Sequence, residues 1–135
     1  MSEEKIRERF EAFTAAWNAH DVDAMAGCFS ERGNITHPWG TFAAGREEIA
    51  RLLAGEHDGP MRESHWKLET LTARSLSDRA IAVESEGVLE GVRAPNGTAY
   101  TLPHRVSAVL VDEDGWRFLS MNPTIDTARS GRARG

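Results

Sequence analysis

Apolar positions recur at helical spacing from the start of the chain. Ile6, Phe10, Phe13 and Trp17 fall on one side of a helix predicted from Glu3 to about Ala19. Asn18-Ala19-His20-Asp21 breaks that pattern, and Asp21 is a suitable N-cap for a short second helix carrying Met25, Cys28 and Phe29. Ser30 to Asn34 reads as a turn and Ile35 to His37 as a short strand. A third helix is predicted from Arg46 to about Glu56, with Ile49, Leu52 and Leu53 inward, ended by Gly55 and Asp58-Gly59-Pro60.

Beyond residue 60 the period changes from three or four to two. Trp66, Leu68 and Thr70 alternate with Lys67, Glu69 and Leu71. Ile81, Val83, Ser85, Gly87 and Leu89 form one face of the next strand, with Glu84 and Glu86 on the other. Pro95-Asn96-Gly97 and Asp112-Glu113-Asp114-Gly115 mark hairpins around a long strand from Tyr100 to Val111, and Trp116 to Asn122 is the last strand. Helices first and an antiparallel meander afterwards predict an α+β domain over 1–125, three helices on a curved sheet, with 126–135 a solvated tail.

Composition narrows the class. The chain has 135 residues, enough for a single core, and a formal charge of −5, which argues against a nucleic-acid partner. No apolar run is long enough to cross a bilayer, and the charged Ser2–Arg7 segment contains no signal-peptide core, so a cytoplasmic protein is expected. The single cysteine, Cys28, lies on an apolar helix and reads as a core residue. The five histidines show no metal-ligand spacing, and no glycine-rich phosphate loop occurs, so neither a metal nor a cofactor is predicted.

Candidate chemistry centres on Ile35-Thr36-His37-Pro38-Trp39-Gly40. His37 stands where a strand gives way to a proline turn, and an imidazole exchanges protons near neutrality. Ser85 and Gly87 put two small residues in the middle of a core face, which points to a pocket or a close backbone approach. Arg105 and Ser107, two apart on one strand, are placed on the pocket side to orient or polarise a ligand oxygen. His104 is then out of phase unless Pro103 introduces a bulge. Asn122 is placed inward, but a one-residue bulge would substitute Leu119 and Met121.

The segments Trp17–Ala24, Ile35–Gly40, Gly45–Ile49, Arg105–Val109 and Asp114–Arg117 together resemble the nuclear transport factor two-like superfamily. That superfamily includes ketosteroid isomerase, SnoaL-type polyketide cyclases and limonene epoxide hydrolase, and the resemblance is closest to the SgcJ/EcaC-like branch. It implies a cone-shaped fold with an internal pocket. It also implies that His37 replaces the isomerase's proton-shuttling aspartate, Phe13 its oxyanion-hole tyrosine and Ser107 its protonated aspartate. Arg105 matches the arginine of the epoxide hydrolase, while Ser107 replaces that enzyme's aspartate.

The expected function is cofactor-free proton transfer on a hydrophobic, oxygenated, polyketide-like metabolite. The catalytic residues expected are His37, Arg105 and Ser107, with Phe13, Trp17, Trp39, Trp66, Val83, Ser85, Asn122 and His104 lining the ligand. A non-catalytic binder with the same pocket is the alternative. Apolar residues on both faces of the long strand predict a homodimer through the outer sheet face.

Overall fold

The structure is a computed structural model and describes residues 3–129. Helix α1 (Glu3–Asn18) and the six-residue α2 (Val22–Gly27) precede strands β1 (Phe29–Thr36) and β2 (Phe42–Ala44). Helix α3 (Arg46–Asp58) follows, then β3 (His65–Ser77), β4 (Ala80–Arg93), β5 (Ala99–Asp112) and β6 (Trp116–Ile125). The six strands form one curved, open sheet in the order β2-β1-β6-β5-β4-β3. The helices lie on its inner face, and the architecture is α+β as the pattern predicted.

The sheet is mixed rather than wholly antiparallel. Ile35 pairs with Met121 in a parallel β1–β6 ladder, while β3 to β6 form the antiparallel meander. The polar stretch Ser30–Asn34, which reads as a turn, belongs to β1. Its order comes from strand pairing at a distance rather than from local propensity.

Helix α1 delivers the core. Phe13 is fully buried, and its ring meets those of Trp17, Phe29, Trp66 and Phe118 at centroid distances of 5.6–6.2 Å. Edge-on geometry dominates these contacts, the arrangement favoured by the aromatic quadrupole. Asp21 caps α2 by accepting from the Ala24 N–H, as its position predicted.

Asn18, the last residue of α1, reaches edge strand β3. Its Oδ1 accepts from the Trp66 N–H at 2.6 Å and its Nδ2 donates to the Trp66 carbonyl at 3.1 Å. The side-chain amide thus fills the place of a neighbouring peptide group. Trp17 donates from Nε1 to Ser64 Oγ, which donates on to the Met61 carbonyl.

At the other end of the chain, the Asp126 N–H donates to the Pro103 carbonyl, and Arg129 bonds Glu69 and the Gly87 carbonyl. The predicted tail is therefore anchored as far as residue 129, and its remainder, 130–135, lies outside the described residues. No helix among the described residues is long and apolar enough to cross a membrane.

Candidate functional site

His37 is placed by the hairpin between β1 and β2. Its N–H donates to the Thr41 carbonyl and its carbonyl accepts from the Gly40 N–H, both at 2.8 Å. Gly40 takes the left-handed conformation, φ +88°, that closes so short a loop. The ring is buried, and Nδ1 lies 2.6 Å from Glu56 Oε2, itself only 13% exposed. A carboxylate accepts only, so when the imidazole facing it is neutral, Nδ1 carries the proton and Nε2 holds the lone pair. Nε2 is buried and has no partner among the described residues.

Glu56 was not among the expected site residues, although its signal was present. The inward stripe of α3 passes through Ile49 and Leu53 and continues to Glu56 and His57. A carboxylate on an apolar stripe within a helical turn of the core is the anomaly that marks it.

Strand pairing fixes which residues share the inner face. Val83, Ser85 and Gly87 of β4 face Ala108, Val106 and His104 of β5, and all six are buried. His104 therefore points inward. Arg105 and Ser107 point outward, where Arg105 pairs with Glu86 at 3.1 Å and Ser107 donates to Glu84 at 2.8 Å. The expected catalytic trio is not brought together, and Val109 shares the outer face. The physical reason is one residue of phase. His104, Val106, Ala108 and Leu110 form the more apolar alternate set, and burial selects it.

A register shift between Val109 and Leu110 inserts an extra residue into β6, so that Phe118 and Met121 are both buried. Asn122 is half-buried on the opposite side; of the bulged alternative Met121 is inward, while Leu119 is the half-buried extra residue and Phe118 takes the other inward place. A second shift at Leu68/Thr70 of β3 turns Leu71 inward in place of Thr70.

The remaining expected residues divide between the core and the surface. Phe13, Trp17, Trp66 and Val83 are buried on the inner face or on the helix against it. Trp39 is 59% exposed, with its ring 6.3 Å from that of His37. It borders a cleft of about 410 Å³ formed with Pro60, Met61, Val92 and Tyr100, a size that suits a small organic molecule. At Gly87 the volume is not open. A Cβ there would lie 2.6 Å from the Lys67 carbonyl oxygen and 3.2 Å from His104 Nε2, so close backbone approach and an imidazole occupy the space.

Several buried polar atoms nevertheless lack partners among the described residues: Trp66 Nε1, Ser85 Oγ and both ring nitrogens of His104. Such atoms each cost about 1–3 kcal/mol when unsatisfied, so this face is polar enough to favour a ligand or water. His37 shares the face. Ile35 is level with Met121, Ala108 and Val83 in successive strands. His37 directly follows Thr36, the last residue of β1, and is buried like Ile35 two residues before it. Three strand steps separate His37 from Ser85, roughly 14 Å on a flat sheet and less on a curved one.

Burial pushes the His104 ring down to about 4, against a weaker opposing pull from the Leu102 carbonyl. His57 is also lowered to about 4, by burial first and then by His20, whose Nδ1 lies 2.8 Å from its own. His57 lies just past the predicted helix end at about Glu56; the helix runs on to Asp58, and His57 is buried beneath Trp17, with ring centroids 4.4 Å apart. Burial likewise raises the Cys28 thiol, consistent with an inert core residue. Among the described residues, no group of three or more His, Cys, Asp or Glu could hold a metal.

The two depressed histidines predict acid sensitivity. The unfolded chain binds a proton at each ring near pH 6.5, and the folded chain only near 4. The unfolded state therefore gains protons first as pH falls. Stability from these rings is complete above about pH 6.5 and declines toward pH 4, by at most on the order of 3 kcal/mol per ring. Urea midpoints at pH 7.5, 6 and 5 should fall in that order. A flat profile for wild type would contradict burial of neutral rings.

Fold and site together define a small α+β domain with a polar-lined inner face beneath a helical layer. Comparison with known proteins gives that class a family. The SnoaL-like domain family matches residues 10–118, and the chain belongs to it. No curated protein matches the sequence.

Among solved structures, the chain is similar to an uncharacterized protein with a cystatin-like fold from Caulobacter vibrioides, at 20% identity. The TM-score is 0.83, over 95% of this chain and 93% of that one. A ketosteroid isomerase-like protein from Erwinia carotovora atroseptica shares 17% identity at a TM-score of 0.78, over 93% and 97% of the two chains. A domain of unknown function with a cystatin-like fold from Nostoc punctiforme shares 22% identity at 0.77, over 98% and 83%. At these identities the likeness defines the fold.

Proposed function

We propose that the protein is a small enzyme that moves a proton on a hydrophobic, oxygenated metabolite, without a cofactor. The observation that carries this is the buried His37–Glu56 pair, with the second imidazole nitrogen unpartnered. Glu56 holds the ring in one tautomer and stabilises the imidazolium formed when Nε2 takes a proton from carbon or oxygen. The same nitrogen then returns the proton elsewhere on the substrate. Isomerisation, aldol-type cyclisation and ring opening all need this step. The SnoaL-like family and the ketosteroid isomerase-like neighbour support a small pocket protein; a polyketide-like substrate and a place in secondary metabolism are part of the proposal.

The test is solvent exchange. Polycyclic ketones with an acidic α-carbon are incubated with the protein in deuterium oxide, and incorporation is followed by mass spectrometry. Wild type should catalyse exchange in at least one ketone and His37→Ala should not. The outward placement of Arg105 and Ser107 favours a second reading, a non-catalytic binder. Ketones that bind without exchange would establish it.

A cytoplasmic homodimer belongs to the same proposal. Val88, Val109 and Val111 are half-buried on the outer face, beside the Glu84–Ser107 and Glu86–Arg105 pairs. A face of this mixed character suits a twofold interface. Light scattering should give about twice the monomer mass at micromolar concentration, and a monomer would overturn the dimer.

A further inference from the structure

Two consecutive residues in the last turn of α3 each face a histidine from another part of the chain. Glu56 meets His37, and His57 meets His20, with the two Nδ1 atoms 2.8 Å apart. The second contact plays no part in the chemistry above, yet the residue that supplies it stands where a helix end favours no side chain. Helix α1 closes with the His20 N–H donating to the Trp17 carbonyl and the Asp21 N–H to the Ala16 carbonyl. This pairing puts the residue just past the helix in the left-handed region, where glycine is preferred. His20 takes that place at φ +55°, and among the described residues only His20 and Asp114 combine a side chain with positive φ. Packing does not require a half-exposed imidazole there, so its contact is what accounts for it.

That contact is exacting. Two imidazole nitrogens at this separation bond only with a single proton between them, one donating and the other accepting. Burial keeps the His57 ring neutral at pH 7, and His20 is the only side chain that hydrogen-bonds it among the described residues. The backbone of His20 is itself fixed on both sides, by the closure of α1 and by Asp21, which caps α2.

We propose that His20 is a positioning residue for the His37–Glu56 pair: by holding His57 it clamps the last turn of α3 and sets where the Glu56 carboxylate lies against His37. The inference rests on the proton-transfer reading of that pair. Helix ends fray, and Glu56 is two residues from the end of α3. Beyond it the chain is tied back through main-chain bonds from Gly59 and Met61 to the Glu56 carbonyl, which hold the peptide but leave the turn free to rotate on the helix axis. His57 supplies the sideways tie, one residue from Glu56. The contact it protects is 2.6 Å long, and a misplacement of about 1 Å at a reacting centre costs up to about 10²-fold in rate.

The experiment uses His20→Gly in the full chain. Glycine suits the left-handed position, so α1 still closes and the variant folds. Nitrogen-15 resonances of the His37 ring should shift, with less of the Nδ1–H tautomer than in wild type. With 2-tetralone as probe in deuterium oxide, kcat for exchange should fall about 3–10-fold, the usual worth of one net hydrogen bond, while KM changes less than twofold. His20→Asn tolerates the same backbone and keeps a donor and an acceptor, so it should recover part of both readouts. His57→Phe should match His20→Gly, and the double variant should be no slower than either. His37 resonances and kcat in His20→Gly equal to those of wild type would overturn the clamp and leave the proton-transfer reading intact. A wild type that exchanges none of the ketones strikes the proton-transfer reading instead. The ring resonances then decide the clamp alone: shifted in His20→Gly they support it, unchanged they overturn it.

Discussion

Replacing Glu56 with glutamine should slow catalysed deuterium exchange by about 10-fold to 10²-fold, and His37→Ala should slow it by about 10²–10⁴-fold, the range for loss of a positioned acid or base. The two effects should not add. Once His37 is absent, Glu56 has no ring to orient, so the double variant should resemble His37→Ala alone. That non-additivity separates a working pair from two independent structural residues. Glutamine keeps the size of Glu56 and an acceptor oxygen for the Nδ1 proton, but it cannot balance an imidazolium. Substrate affinity should change less than turnover in Glu56→Gln. Equal exchange rates in wild type and Glu56→Gln would mean that the 2.6 Å contact between them is structural only.

The second large effect concerns stability. Phe13→Ala should cost about 3–5 kcal/mol, the range for removing a fully buried phenylalanine. Four aromatic neighbours surround the ring, drawn from α1, β1, β3 and β6, so the resulting void touches every layer of the core. Rigid neighbouring rings collapse poorly into such a space, which places the expected cost toward the upper end. Thermal unfolding followed by circular dichroism would measure it. A loss below about 1 kcal/mol would show that the helix is not the keystone of this core.

The helices were legible because local pattern and final burial agree in them. Ile6, Phe10, Phe13 and Trp17 are all buried, and Asp21 caps as its residue type predicts. The strands were legible as strands, but not always in phase. In β5 the arginine and serine attracted a chemical reading, while the alternate set, Val106, Ala108 and Leu110, carried the hydrophobic free energy that decides which face turns inward. Bulges at Glu69 and Leu119 reversed the remaining phases, and no local propensity announces a bulge of this kind. Strand β2 and the first half of β1 were invisible because three-residue pairing and a parallel partner from the far end of the chain create them.

The site was half legible. His37 stands out by its place at a strand end, whereas Glu56 is recognised only when the helix is extended past the residue where its apolar content fades.

The Asn18 contact with Trp66 has a consequence for solubility. An exposed sheet edge offers unpaired peptide groups to any passing chain, and proteins commonly deter such pairing with charge, bulges or coverings. Here a carboxamide from the helix occupies one donor–acceptor position on the outermost strand, while Arg129 claims a carbonyl on the strand next to it. The flank of the sheet is thereby a poor template for strand addition. Any association of this molecule with its own kind would then fall to broad surfaces, where complementarity of shape and charge can choose the partner, rather than to this margin, where any extended peptide would serve.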